Sequence, residues 1–125
     1  MTTEPEVVVL RLGHRPGRGE RTTTHVGLTA RALGADRVVL PSAAGSAVTT
    51  INDVTRQFGG PFVVETTDDP LSFLSAWDGV IAHLTMYGEP IQDVVPVVRA
   101  SNSSGLLIVV GAEKVPFAVY ERADW

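Results

Sequence analysis

Short apolar runs alternate along the chain with longer stretches whose apolar residues recur every three or four positions. The runs are rich in valine, leucine and isoleucine and have the length of strands; they span residues 7–12, 38–40, 62–65, 79–84 and 106–110. Strands that alternate with helices predict right-handed βαβ units. We therefore expect an α/β fold with a mostly parallel sheet of about five strands and helices on both faces.

The first predicted helix follows a loop at residues 13–21 that is rich in glycine and arginine. A threonine of the run 22–24 is a suitable N-cap for this helix. Gly34 is expected to end it, since glycine favours the position after a helix. Helical spacing predicts an inward face that carries Val26, Ala30 and Leu33.

Helix signals continue through the rest of the chain. A helix is predicted over 46–58, ended by two glycines, with an inward face of Val48, Ile51, Val54 and Phe58. Asp68 or Asp69 is expected to cap a short helix that has Pro70 in its first turn. Further helical segments are predicted over 90–99, where Pro96 favours a start, break or kink, and over 116–120.

Composition narrows the class of protein. The 125 residues fit one domain, with 44% hydrophobic and 19% charged residues, a globular balance. The chain has no cysteine, which excludes a disulfide scaffold, a thiol nucleophile and cysteine-ligated metal. Its start is polar and acidic, unlike a signal peptide, and no apolar stretch approaches membrane-spanning length. We expect a cytoplasmic protein without a membrane segment.

Charge is distributed unevenly. The formal net charge is −4, yet residues 11–37 hold six arginines against two acids. This asymmetry is typical of an anion-binding region on an acidic body, although a solvated arginine loop is the alternative. The arginines suited to contact RNA phosphates are Arg11, Arg15, Arg18 and Arg21.

Ligands in parallel sheets bind beyond the carboxyl ends of the strands. Here the informative segments at those ends are 13–15, 85–88 and 111–114. The glycine-rich segment after the first strand lacks the lysine and hydroxyl residue of a P-loop. Gly111 directly ends an apolar strand, which indicates positive φ, close approach of a ligand, or an ordinary turn. The three histidines, one of them His83, lie on different elements, so no metal site is predicted.

Several segments resemble the SPOUT class of RNA methyltransferases. Residues 24–40 are similar to the first motif of that class, a helix that runs into a strand, and 107–113 to the second, a strand that ends in Gly-x-Glu. The segments 10–15, 24–26, 83–88 and 110–116 more closely resemble the archaeal tRNA cytidine 2′-O-methyltransferases. The resemblance covers nearly the whole chain.

The resemblance implies a homodimer with a C-terminal trefoil knot that transfers a methyl group from S-adenosylmethionine to the ribose 2′-hydroxyl of a T-loop cytidine in tRNA. Arg31 matches the presumed catalytic arginine, and His25 is a candidate to accept the proton or to cap the helix. His25 stands where most of the superfamily has asparagine. The positions that match family cofactor contacts are Leu84, Gly111, Ala112, Glu113, Lys114 and Val115.

The family pattern continues beyond Trp125 with a strand, a loop and a helix. Residues 1–125 are therefore expected to form a SPOUT-type methyltransferase domain that lacks the C-terminal segment, with its knot elements missing or incomplete. The alternative function is a truncated, non-catalytic RNA-binding or interaction domain derived from such an enzyme. An unrelated doubly wound α/β domain is a third possibility.

Overall fold

Five strands and five helices alternate through the part of the chain that this computed structural model describes, residues 6–12, 20–85, 89–101, 105–111 and 115–125. The strands are β1 (Val7–Leu12), β2 (Arg37–Pro41), β3 (Val63–Thr67), β4 (Val80–Leu84) and β5 (Leu106–Gly111). The helices are α1 (Glu20–Ala32), α2 (Gly45–Phe58), α3 (Pro70–Ala76), α4 (Ile91–Ser101) and α5 (Phe117–Arg122). The predicted alternation is confirmed.

All five strands join one sheet in the order β3-β2-β1-β5-β4, and every neighbouring pair is parallel. β1 lies at the centre, where Val9 is in register with Val38 of β2 and with Ile108 of β5. The expected mostly parallel sheet is thus wholly parallel among the described strands.

Helices cover both faces of the sheet, as the buried character of its strands requires. One core contains Val8 and Leu10 of β1 together with Leu74 of α3 and Val119 of α5. The other core lies under α1 and α2 and includes Val9, Val38, Ala47 and Ile51. Successive β1 side chains alternate between these two cores, so Arg11 is on the face that carries α1.

Helix α1 begins at Glu20, before the threonines predicted to cap it. That prediction is wrong, because Thr23 lies inside the helix and is fully buried. The predicted end at Gly34 is confirmed: Gly34 has φ +94°, its N–H donates to Arg31 O, and the Ala35 N–H donates to Ala30 O. This pair of bonds is a Schellman motif.

Two predicted inward residues point outward. Leu33 is 83% exposed and Phe58 is 75% exposed, whereas Ala30 and Ile51 are buried as expected. Each outward residue lies at the end of its helix, beyond the length that packs on the sheet. Elsewhere Asp69 caps α3 by accepting the Ser72 N–H, and Pro96 lies inside α4 without ending it.

Candidate active site

The topological switch point of the sheet lies between β1 and β5. In the sheet, β2 lies on the far side of β1 and β4 lies on the far side of β5. The chain therefore runs from β1 to β2 in one direction across the sheet, and it enters β5 from β4 on the opposite half of the sheet. In open α/β sheets, ligands usually bind beyond the carboxyl ends of the strands at such a switch point. Leu12 and Gly111 are in register at this point.

Arg11 lies inside the protein at the switch point. It is only 4% exposed, and its Nη1 donates a 2.6 Å hydrogen bond to the carbonyl oxygen of Gly111. Its Nε is buried without a hydrogen-bond partner, and burial lowers the pKa of Arg11. The expectation that Arg11 contacts RNA is not supported by this placement, because the guanidinium is turned into the core and is occupied by a backbone carbonyl.

Gly111 is a position of close approach. A Cβ built on Gly111 would overlap Cγ2 of Val115. Its φ is not among the positive glycine values, which occur at Gly34, Gly59, Gly60 and Gly105 in the described part of the chain. Close packing rather than left-handed backbone therefore explains the glycine.

Leu84 ends β4 at the same edge of the sheet, and 48% of it is exposed. The preceding residue, His83, is 7% exposed and turns its ring to Tyr120 of α5, with 4.7 Å between ring centroids. Its Nδ1 is buried without a partner, and burial lowers the pKa of His83. The Tyr120 hydroxyl also lies 3.5 Å from Oγ1 of Thr85.

The sequence does not predict the His83–Tyr120 contact, because there His83 is considered only as a possible metal ligand. A polar residue within the apolar run of β4 is the signal that could have indicated it. Two neighbouring strands thus end in candidate site residues. Strand β4 ends in buried His83 and apolar Leu84, and strand β5 ends in close-packed Gly111.

Arg21 and His25 lie on one exposed face of α1, since residues four apart are neighbours on a helix. Both belong to the amino-terminal half of α1, which follows β1 and therefore starts at the carboxyl edge of the sheet. The structure accordingly brings these two predicted RNA and proton-transfer residues to the edge that carries Leu84 and Gly111.

Arg31 lies elsewhere. It is in the last turn of α1, and eleven residues of helix place it roughly 16 Å along the axis from Glu20. There the chain returns to the amino edge of the sheet, where the Asp36 N–H donates to Val7 O. Nη2 of Arg31 donates a 2.5 Å hydrogen bond to Gly59 O. Within one chain the structure does not bring Arg31 together with Leu84 and Gly111.

Several predicted site residues lie outside the described residues. They are Arg15 and Arg18 of the loop after β1, and Ala112, Glu113 and Lys114 after β5. In the described ranges, no group of three or more histidine, aspartate or glutamate side chains could hold a metal ion. No described helix is long and apolar enough to cross a membrane.

The fold defines a doubly wound α/β protein, and its candidate ligand site is at the carboxyl ends of the central strands. A family model described as tRNA ribose 2′-O-methyltransferase, aTrm56, matches residues 58–125, the segment from the end of α2 through β4 and β5 to α5.

Relatives match the whole chain. It is 60% identical over 126 residues to the tRNA (cytidine(56)-2′-O)-methyltransferase of Haloarcula marismortui, covering 100% of this chain and 70% of that protein. The protein of the same name from Natronomonas pharaonis is 62% identical with the same coverage. The one from Thermococcus kodakarensis is 49% identical over 124 residues, covering 95% of this chain and 69% of that protein. The chain belongs to the tRNA ribose 2′-O-methyltransferase family.

Proposed function

We propose that this chain transfers a methyl group from S-adenosylmethionine to the ribose 2′-hydroxyl of cytidine 56 in the T loop of tRNA. One observation carries the proposal: the family-matched segment 58–125 includes the strand ends at which Leu84 and Gly111 form the candidate site. Residues 1–125 act in this proposal as one methyltransferase domain, in the cytoplasm.

The residues at these strand ends fit an adenosine-containing donor. Leu84 offers a half-exposed apolar side chain, which suits a flat purine. Gly111 presents backbone with no room for a Cβ, and backbone N–H and C=O groups are suited to recognise a purine edge and an amino-acid moiety. Ala112, Glu113, Lys114 and Val115 complete the proposed donor-binding segment. When bound, S-adenosylmethionine supplies an electrophilic methyl group on a sulfonium.

The first half of α1 is the proposed acceptor side. Arg21 is exposed there and can pair with an RNA phosphate, and Arg15 and Arg18 precede it in the chain. The ribose hydroxyl loses its proton as it attacks, and the exposed imidazole of His25 is the proposed acceptor of that proton. Most of the rate enhancement then comes from holding the hydroxyl in line with the methyl group.

Arg31 enters this proposal only through a second subunit. Its guanidinium is suited to stabilise developing negative charge, whereas arginine side chains stay protonated in proteins and do not act as bases. Since Arg31 lies at the amino edge of its own sheet, a catalytic role requires the proposed homodimer to bring it to the partner's carboxyl edge.

Titration of S-adenosylmethionine into the purified chain by calorimetry tests the donor site. We expect saturable binding in the micromolar range to the folded protein. A folded circular-dichroism spectrum without binding would contradict the proposal and favour a non-catalytic RNA-binding or interaction domain.

A further inference from the structure

Two aromatic side chains on α5 are exposed to solvent. Phe117 is the first residue of the helix and is 73% exposed, and Tyr120 is 38% exposed. They are three residues apart, so they lie on one face of the helix and together form the aromatic pair. Aromatic rings bury a large area when they are covered, which makes an adjacent exposed pair typical of a binding surface.

Phe117 lies close to the end of β5. Gly111 is the last residue of that strand, and a Cβ built on Gly111 would overlap the side chain of Val115. Phe117 follows Val115 by two residues, so α5 begins at the carboxyl edge of the sheet. The first ring of the aromatic pair is therefore a neighbour of the candidate site.

Tyr120 lies against the end of β4. Its ring contacts buried His83 edge-on, with 4.7 Å between ring centroids, and its hydroxyl lies 3.5 Å from Oγ1 of Thr85. Thr85 directly follows Leu84 in the chain. These contacts fix one side of the ring before any ligand binds, and such preorganisation lowers the entropic cost of binding on the exposed side.

The aromatic pair and Leu84 lie on opposite faces of β4. His83 points to Tyr120 of α5, and successive residues of a strand point to opposite faces of the sheet. Leu84 therefore points to the face that carries α1, the proposed acceptor side. A donor purine packed on Leu84 is separated from the aromatic pair by the strand, so a flat ring bound at the pair belongs to the other substrate.

The charge around α5 favours a nucleobase over a phosphate. Glu121, next to Tyr120, is exposed and negatively charged, and Nη2 of Arg122 donates a 2.7 Å hydrogen bond to the carbonyl oxygen of Trp77. Arg21, the exposed arginine proposed to pair with a phosphate, lies on α1 instead. Phosphates pair with arginine, whereas uncharged bases stack on aromatic rings. An RNA loop offers both groups, because its unpaired bases are accessible.

We propose that the aromatic pair, Phe117 and Tyr120, stacks against an unpaired base of the tRNA loop beside the cytidine that accepts the methyl group. This inference rests on the proposed function, since it takes tRNA as the methyl acceptor. The pair is a second RNA contact, across the edge of the sheet from α1. Because every base has a π-face, stacking here positions the loop and does not by itself select cytidine.

Titration of an unmodified tRNA transcript into the purified chain tests the contact. Phe117→Ala should weaken tRNA binding about tenfold, the scale of one lost base–aromatic stack. Phe117→Leu keeps an apolar side chain without a ring and should weaken binding as much, whereas Phe117→Trp should bind at least as tightly as wild type. Phe58→Ala is the matched control, since Phe58 is 75% exposed at the end of α2, and should stay within about twofold of wild type.

The salt dependence of tRNA binding separates stacking from a phosphate contact. Phe117→Ala should lower the affinity by the same factor at every salt concentration, because no counterion release is lost with the ring. The slope of log affinity against log salt concentration therefore stays at its wild-type value. S-adenosylmethionine affinity should remain within about twofold of wild type, since the ring lies across β4 from Leu84.

Synthetic tRNAs with an abasic ribose at one T-loop position at a time identify the stacked base. Removal of that base should weaken binding to the wild-type chain about tenfold. The same RNA should bind Phe117→Ala no more than about twofold more weakly than intact tRNA does, because both changes remove one contact.

The results that would overturn the inference differ from those against the proposed function. Equal tRNA affinities of Phe117→Ala and Phe58→Ala overturn the inference alone, as do a reduced salt slope in Phe117→Ala and additive effects at every abasic position. Loss of donor affinity with intact tRNA binding overturns it in favour of a donor contact. If Phe117→Ala does not fold, Phe117→Leu decides. A folded wild-type chain that binds no tRNA overturns the proposed function and this inference together.

Discussion

Nη2 of Arg31 donates a 2.5 Å hydrogen bond to the carbonyl oxygen of Gly59, joining the last turn of α1 to the residue that ends α2. The Gly59 N–H in turn donates to Thr55 O, so both helix ends are held at one place. This place is the amino edge of the sheet, whereas Leu84 and Gly111 lie at the carboxyl edge.

Replacement of Arg31 by alanine should therefore act first on stability. We expect the free energy of unfolding in urea to fall by about 1 kcal/mol, the usual net value of one hydrogen bond. S-adenosylmethionine affinity should remain within about twofold of wild type, because the donor site is at the other edge. A loss of donor binding by a folded Arg31→Ala protein would contradict this placement of the two sites.

The direction of α1 could have been inferred from the sequence. In a βαβ unit the crossover helix runs back towards the start of the strand, so a residue in its last turn belongs to the amino edge. The similarity to a family motif assigned a catalytic role to Arg31 without considering which edge of the sheet this residue lies at. The predictions that Leu33 and Phe58 point inward are wrong for a related reason. Periodicity shows which face of a helix a residue is on, but not whether the sheet still lies beneath that part of the helix.

Gly111→Ala should reduce donor binding at least tenfold. The added Cβ would overlap Val115, so either Val115 or the exit of β5 must shift. Overpacking of this kind also costs about 1–3 kcal/mol of stability, which chemical denaturation would measure. Gly45→Ala is the matched control, because nothing lies within 4 Å of its Cβ position and it begins a helix. Equal donor affinity in both variants would remove Gly111 from the donor site.

Arg21→Ala should weaken tRNA binding and reduce its dependence on salt. Loss of one phosphate contact lowers the slope of log affinity against log salt concentration by about one. Arg56→Ala provides the control, since Arg56 is an exposed helix arginine that pairs with Asp53 in the last turn of α2. Equal slopes for the two variants would show that Arg21 makes no phosphate contact.

Stability should fall in mildly acidic solution because of His83. Burial lowers the pKa of His83 in the folded protein below its ordinary value of 6.5. As the pH drops below about 6.5, the unfolded chain takes up a proton that the folded protein resists, so the stabilisation present above that pH is progressively lost. The slope for one proton cannot exceed about 1.4 kcal/mol per pH unit.

Urea denaturation between about pH 5 and 8 measures this effect. His83→Phe keeps an aromatic ring against Tyr120 and should flatten the slope below neutral pH. His25→Gln, on an exposed helix face, serves as the comparison and should retain the wild-type slope. If the free energy of unfolding fell as steeply with pH in His83→Phe as in the wild type, His83 would not be the cause of the pH dependence.

Arg11, a buried polar residue near the end of β1, shows that a pattern of apolar runs predicts a strand but not the contacts of a polar side chain within it. Strand β1 was predicted with its observed bounds because its β-branched and aliphatic residues favour a buried strand. In this run Arg11 lies between Leu10 and Leu12, so alternation places it on the opposite face of the strand, and that face is interior only because helices cover both faces of the sheet. The excess of arginine in residues 11–37 led instead to the expectation that Arg11 lies on the surface and contacts RNA. Its partner, a backbone carbonyl 100 residues away in the chain, depends on sheet order, which the pattern does not supply.

The most direct test of the account is transfer of labelled methyl groups to tRNA. The purified chain is incubated with S-adenosylmethionine tritiated in the methyl group and an unmodified tRNA transcript, and the product is digested to nucleosides. We predict that the label is recovered as 2′-O-methylcytidine and is lost when the T-loop cytidine is replaced by uridine. Absence of label, or label on a base rather than on the ribose, from a chain that folds would contradict the proposed function.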